Sequence, residues 1–285
     1  MKIMSWNVQW CRGIDGRVDP ARIVAEAKRI ADFDVLCLQE IADEFPEPRL
    51  AGNDDGDQFA DIAALLPGYT AVRGIAVDQP AEPGKRRQFG NMMLSRLPVR
   101  QVYRWLLPYP HDPGKAGMPR IAIEAVIASP GGDVRVITTH LEWYSIVQRA
   151  AQVEGLRRIY ADGYAHARAA DVTMGEDGGP FETFLRPRAA VICGDFNLEH
   201  VSDLHSRMVA GFDDATPPLV NSWDLLHPGE PYPATFCIYN RMGNYGELHC
   251  DFFFASPEAA SRIADFRVDQ QTQASDHQPI VLTLR

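Results

Sequence analysis

The feature that most constrains this chain is a succession of short, strand-like apolar runs, many closing on a polar or charged residue. They fall at 2–8, 34–39, 69–77, 90–95, 99–107, 120–128, 133–139, 189–194, 250–255, 262–268 and 278–284. Helical signals are few. One helix is expected over 19–32, where Asp19 can cap and Pro20 takes the first helical position, and a shorter one over 58–66. A third is expected over 145–165, where Ser145 and Gln148 match a capping box and Ile146, Ala150, Val153, Tyr160 and Tyr164 keep the spacing of one buried face. So many strands with so few helices require large sheets. With 285 residues, 46% of them hydrophobic, the chain can bury a sizeable core. The Pro/Gly-rich connections at 41–57, 78–88, 108–119, 166–188 and 227–248 are each followed at once by another apolar run, so none reads as an interdomain linker. We therefore expect one domain over 1–285, without internal repeats.

The polar residues at the run ends carry the chemistry. Asn7 ends the first run and Glu40 follows the second. His140 ends the run through Thr139, Asp195 and Asn197 follow 189–194, and Asp276 with His277 precedes the last. Either aspartate alone would serve as a turn cap, and a single strand-end histidine as a hydrogen-bonded surface residue; the joint occurrence is what points to a site. A carboxylate closing an apolar strand is costly unless a cation or donor meets it. Oxygen ligands without clustered thiols suit a hard ion, Mg²⁺ or Mn²⁺, rather than zinc. The two histidines add donors for a phosphate or a developing oxyanion. Cys11, Cys37, Cys193, Cys237 and Cys250 form no C-x-x-C pair, and Cys37 and Cys193 lie inside apolar runs, which reads as free thiols in a reducing compartment. No run approaches the roughly 18 residues that span a bilayer. Because the chain opens directly into MKIMSWNVQW with no leader pattern, a cytoplasmic location is expected, without integral membrane association.

Several fragments in order, SWNVQ at 5–9, LCLQE at 36–40, GNMMLSRLP at 90–98, TTHLE at 138–142, ICGDFN at 192–197, CDFFFAS at 250–256 and SDHQP at 275–279, resemble the metal-dependent endonuclease/exonuclease/phosphatase superfamily over nearly the whole chain. That superfamily includes pancreatic-type deoxyribonuclease, apurinic-site endonucleases, neutral sphingomyelinases, inositol-polyphosphate 5-phosphatases and deadenylases. The resemblance implies an α/β fold, a four-layer α/β sandwich of two packed mixed β-sheets flanked by helices. It also implies roles by position. Glu40 is the principal metal ligand, with Asn7 and Asp276 completing or bordering the shell. Asp195 orients or deprotonates water, Asn197 helps to position water or phosphate, and His277 contacts the scissile phosphate while Asp251 fixes its tautomer. His140 approaches the phosphate from the other side. Asp251 has an unusual approach, Leu248-His249-Cys250-Asp251-Phe252, although the Asp-aromatic core is kept. Asn91, Arg120 and Trp143 are further candidates for contacting substrate.

The function expected is a Mg²⁺- or Mn²⁺-dependent phosphoesterase that hydrolyses a phosphodiester or phosphomonoester by in-line attack of water. Gln9, where the apurinic-site branch has a carboxylate, and His140, where it has Tyr, place the chain nearer the deoxyribonuclease and sphingomyelinase side. Two enzyme readings compete: a small-molecule or lipid-derived ester, which is preferred, and a nucleic acid. A net charge of −10, with arginines scattered apart from Arg86-Arg87 and Arg157-Arg158, works against nucleic-acid binding. An inactive binding module would be expected to have lost site residues, and the set is complete. Substrate choice is expected in the segment 105–119, which carries Trp105, Tyr109, His111 and Lys115.

Overall fold

We describe the protein from a computed structural model that covers residues 1–169, 179, 180, 182, 184–239 and 246–285. Its strands are β1 (Lys2–Asn7), β2 (Val35–Asp43), β3 (Thr70–Pro80), β4 (Arg86–Ser95), β5 (Val99–Leu106), β6 (Ile121–Ile127), β7 (Val134–His140), β8 (Ala190–Asp195), β9 (Val220–Asn221), β10 (Asp251–Ala255), β11 (Ile263–Val268) and β12 (Ile280–Leu284). The helices are α1 (Pro20–Ile30), α2 (Gln58–Leu65), α3 (Ile146–Arg168), α4 (Asp203–Val209), α5 (Ser222–Leu226) and α6 (Pro257–Ala260). Two six-stranded sheets result, ordered β11-β12-β1-β2-β4-β3 and β5-β6-β7-β8-β10-β9. Both are mixed, since β1 runs parallel to β2 and β7 parallel to β8 within otherwise antiparallel ladders.

Strand alternation builds the layers. Ile3, Val35, Cys37 and Met93 turn toward the second sheet and share one core with Val136, Val191 and Phe253, while Met4, Trp6, Leu36 and Leu38 turn the other way and pack on Ile23, Val24 and Ala27 of α1 and Phe59 and Ile62 of α2. Helix α3 contributes Leu156 and Tyr160 to the core of the second sheet, completing the four-layer sandwich. All five cysteines are buried free thiols. Among the described residues, no helix is long and apolar enough to cross a membrane.

The helix starts follow their caps: the Asp19 carboxylate accepts from Arg22 N at 3.0 Å and Ser145 Oγ from Gln148 N at 3.1 Å. Two expectations need correction. The capping box at Ser145 is only half formed, because the Gln148 amide reaches instead to the Pro110 carbonyl at 3.0 Å. Nor does the predicted face of α3 hold at its first turn. Ile146 is 65% exposed, and the buried positions are Gln148, Gln152, Val153, Leu156, Arg157, Ile159, Tyr160 and Gly163. The short elements α4, α5, α6 and β9 carried no clear periodic signal. Residues 170–178, 181 and 183 of the 166–188 connection lie outside the described residues.

Candidate active site

Three neighbouring strands end level with one another. Register places His140 of β7 opposite Asp195 of β8, and Asp251 of β10 opposite Asp195 on its other side. Gly194 makes this approach possible: its φ is +139°, and a Cβ there would stand 1.9 Å from the Thr139 carbonyl oxygen. Across the sandwich, Asn7 closes β1. Glu40 joins it through a break in β2, where the pairing with β4 shifts between Leu38 and Ile41 and Glu40 takes φ +63°. An unbroken strand would aim the even-numbered Glu40 with Leu36 and Leu38 at the helices; the bulge re-aims it toward the site.

Side-chain bonds then knit the two sheets together. Asn7 Nδ2 donates to Glu40 Oε1 at 3.0 Å and to Asp195 Oδ2 at 2.9 Å. His140 Nε2 and His277 Nε2 lie 3.4 and 3.6 Å from that same Asp195 oxygen. Asp251 Oδ2 meets His277 Nδ1 at 2.9 Å, and the Phe236 ring tilts over the imidazole with centroids 4.6 Å apart. Asn197, at φ +50°, uses its backbone N to donate to Asp195 Oδ1 at 2.9 Å. Its Nδ2 donates to the Leu141 carbonyl at 2.8 Å, which fixes the amide with its NH₂ group 3.0 Å from His140 Nε2.

The electrostatics of these groups diverge. Burial and the Asp276 carboxylate push Glu40 up to about 7. Burial, with Asp251 adding to it, raises Asp195 to about 6, and burial also raises Asp276. For His277 burial works against the proton, but Asp251 and Asp195 outweigh it and hold the imidazole charged well above its ordinary range. His140 goes the other way: burial, Arg120 and His277 keep it neutral. Its Nε2 lies 3.4 Å from Asp195 Oδ2 and 3.9 Å from Glu40 Oε1.

Such a concentration of lone pairs and carboxylates fits a hard divalent cation held by Glu40 with Asn7 and Asp276. A tighter group also exists, because Asp195, Cys250 and His277 each offer a ligand atom within 4.8 Å of the others. Glu40 is the better anchor. His277 is protonated and has no free lone pair at the ring, and burial and Asp195 hold the Cys250 thiol well above its ordinary range, so it does not offer the thiolate that a metal binds. A second triad, His200, His205 and Asp224, lies outside this site.

The structure brings together Asn7, Glu40, His140, Asp195, Asn197, Asp251, Asp276 and His277. Trp143 lines a cavity that also includes Asn197 and Cys250. Arg120 is buried against Glu142, 3.3 Å from Oε2, and is close enough to act on His140. Asn91 donates to the Ile121 carbonyl at 3.0 Å, tying β4 to β6. The 105–119 segment is fastened to the start of α3: Asp112 Oδ2 accepts from Ser145 Oγ at 2.6 Å. Sequence reasoning did not assign a site role to Gln9, whose Nε2 donates to Asp276 Oδ2 at 2.5 Å, to Cys250, or to Phe236. Gln9 lies two residues past Asn7, a signal available in the strand-end spacing.

The sequence matches the profile of the endonuclease/exonuclease/phosphatase family across residues 4–277. The chain belongs to that family. A family protein from Beutenbergia cavernae is 25% identical and superposes with a TM-score of 0.63, covering 100% of this chain and 71% of that one. Humanized D. rerio TDP2 (17% identity, TM-score 0.63, covering 100% and 98%) and a Bacteroides thetaiotaomicron mannosyl-6-phosphatase (17%, 0.60, 100% and 99%) share the fold. Endonuclease/exonuclease/phosphatase proteins are divalent-metal-dependent hydrolases of phosphoric esters, and this chain is such a hydrolase.

Proposed function

We propose that residues 1–285 act as one catalytic domain that hydrolyses a phosphodiester or phosphomonoester of a small or lipid-derived molecule, using Mg²⁺ or Mn²⁺. The observation that carries this reading is Asp195 Oδ2, which Asn7 Nδ2 meets at 2.9 Å and two imidazole nitrogens of opposite charge state approach within 3.6 Å. Bound by Glu40, Asn7 and Asp276, the cation would neutralise phosphate charge, acidify a water and stabilise the leaving alkoxide. The chain's own groups do the rest. Asp195, ionised above about pH 6, orients the attacking water and accepts its proton. His277, kept cationic by Asp251, donates from Nε2 to a phosphate oxygen as charge grows there. Asn197 holds His140 in the tautomer whose Nε2 is unprotonated by donating to that nitrogen, which keeps a neutral ring beside Asp195. The net charge of −10 favours a small ester over a polyanionic nucleic acid.

Hydrolysis of bis(p-nitrophenyl) phosphate and of a monoester panel, measured with Mg²⁺, with Mn²⁺ and with EDTA, tests this reading. Metal-dependent turnover is expected. Absence of turnover on every ester with either metal overturns it.

A further inference from the structure

A cavity of about 640 Å³ opens directly beside the catalytic groups, with Asn197 and Cys250 at its inner end. Its walls are largely apolar. Trp143, which stands edge-on to Phe236 at 6.0 Å, begins a wall that continues through Tyr144, Ile146, Leu198, Val201 and Leu248. The outer members are unusually open to solvent: Val201 is 92% exposed, Ile146 65% and Tyr144 63%. This cluster sits on two unrelated segments, the first turn of α3 and the loop before α4, so it is not the by-product of one amphipathic helix. A contiguous apolar patch beside a catalytic centre is a place where something apolar binds.

Several polar groups in the lining are already committed to the protein. Arg149 Nη1 donates to the Glu142 and Trp143 carbonyls at 2.8 and 2.9 Å. Glu199 accepts from His249 N at 3.4 Å, and Ser202 Oγ donates to the Glu199 carbonyl at 2.7 Å and caps α4. Much of what is left to meet an occupant is hydrocarbon, beside the Arg149 Nε, which is buried without a hydrogen-bond partner among the described residues. The carboxylates of Glu199 and Asp203 at the rim oppose a phosphodiester chain.

We propose that this cavity is the substrate's second subsite, and that it receives an aliphatic group esterified to the phosphate held at Asp195 and His277. The inference rests on the functional reading above and narrows it to phosphate esters of aliphatic alcohols, with Ile146 and Val201 determining chain-length preference. Burying a methylene contributes about 0.8 kcal/mol, roughly fourfold in affinity, so even a few ordered methylenes give a large discrimination.

Two measurements keep this inference separable from the reaction itself. Calorimetric titration with methylphosphonate and n-octylphosphonate, in Mg²⁺ and below the aggregation limit of the longer chain, reads the subsite whether or not the enzyme turns over. The octyl compound should bind at least ~10-fold more tightly. Rates on p-nitrophenyl methyl and p-nitrophenyl octyl phosphate should show the same preference in kcat/KM. Both Ile146 and Val201 are exposed, so Ile146→Asp and Val201→Asp should leave the fold intact while lowering the octyl-to-methyl ratio at least ~5-fold; Val201→Leu should preserve it. Octyl selectivity in binding without turnover would keep the subsite and remove the function proposed for it. Equal binding of the two phosphonates, or an octyl-to-methyl ratio unchanged in both aspartate variants, would overturn the subsite. So would a wild-type dimer in sedimentation that the aspartate variants dissociate, since the patch would then cover a second copy of the chain.

Discussion

Two of the places where the molecule buries acidic groups are built on opposite principles. In the outer part of the second sheet, Glu124 of β6 is fully buried and accepts from Arg186 Nη2 at 2.8 Å, Arg135 Nη1 at 3.3 Å and the Trp105 indole at 3.0 Å. Rings of Tyr103 and Tyr160 lie beside those guanidiniums, at 5.0 and 5.8 Å. One carboxylate meets two cations, and the protein closes the cluster by itself. At the strand ends, Glu40, Asp195, Asp251 and Asp276 gather around a single imidazolium, and the buried Asp251 Oδ1 has no hydrogen-bond partner among the described residues. Burial of charge is common to both; only the second leaves a deficit that an external cation and a substrate can fill.

If the second cluster works as one reactive unit, the largest effects come from its imidazole pair. His277→Ala and Asp251→Asn should each lower kcat/KM by roughly 10³- to 10⁴-fold, and the double variant should lose little more than the worse single. Additive losses would show that Asp251 acts independently of His277, contrary to the 2.9 Å contact.

The closed cluster should respond in stability instead. Glu124→Gln keeps the shape but leaves two guanidiniums without their carboxylate, which should destabilise the fold by about 3–5 kcal/mol in urea unfolding. Activity per folded molecule should stay within about threefold. A large loss of kcat with unchanged stability would erase the distinction between the clusters.

The contrast also explains what could be read in advance. Strand-end residues were legible because alternation and strand length place them: Asn7, His140 and Asp195 are simply where apolar runs stop. Even Asp251, with its unusual approach sequence, landed opposite Asp195, because the Phe-rich run after it fixed the register of β10. Glu40 was legible as a carboxylate closing an apolar run, but its place as principal ligand came from the resemblance, since periodicity alone aims it at the wrong layer and the positive φ that redirects it leaves no mark in composition. The cavity was not legible. It depends on Ile146 facing outward, and periodicity put Ile146 inside because α3 buries Gln148 and Gln152 where apolar residues would be expected. Those amides hold the 105–119 segment through the Pro110 and Pro108 carbonyls, a tertiary demand that overrides the amphipathic pattern.

The same exchange of Glu for Gln at position 40 should act in two directions at once. Turnover should fall at least ~100-fold and not recover fully at high Mg²⁺, because the charge that holds the ion is gone. Metal-free stability should rise. With its pKa raised from 4.5 to about 7, Glu40 favours the fold fully below about pH 4.5 and loses that contribution as pH rises through 7. In EDTA at pH 8, Glu40→Gln should therefore be more stable than wild type, by an amount on the order of 3 kcal/mol at most. Opposite signs for E40Q and E124Q in the same unfolding assay would sharpen the comparison; equal signs would break it.

His205 supplies a third solution to burying an ionisable group, which is to give up its charge. Its Nε2 lies 2.8 Å from Asn221 Nδ2, and the Asn221 carbonyl is occupied in accepting from Trp223 N, so the amide must donate and the ring must accept. Burial, then His200, lowers its pKa from 6.5 to about 4. A depressed histidine stabilises the fold fully above about pH 6.5, and the contribution is lost as pH falls through 4. Between pH 7 and pH 5 the wild type should lose about 2 kcal/mol on this account. Glu40, Asp195 and Asp276, whose pKa values are raised, gain stability over the same interval, so total stability cannot isolate the histidine. A difference between proteins can. In EDTA, the change in unfolding free energy from pH 7 to pH 5 should be less unfavourable for His205→Gln than for wild type by about 2 kcal/mol, because the carboxylate contributions are common to both and cancel. Parallel changes in the two proteins would mean that His205 protonates inside the fold at little cost, and that neutrality is not how this third site accommodates burial.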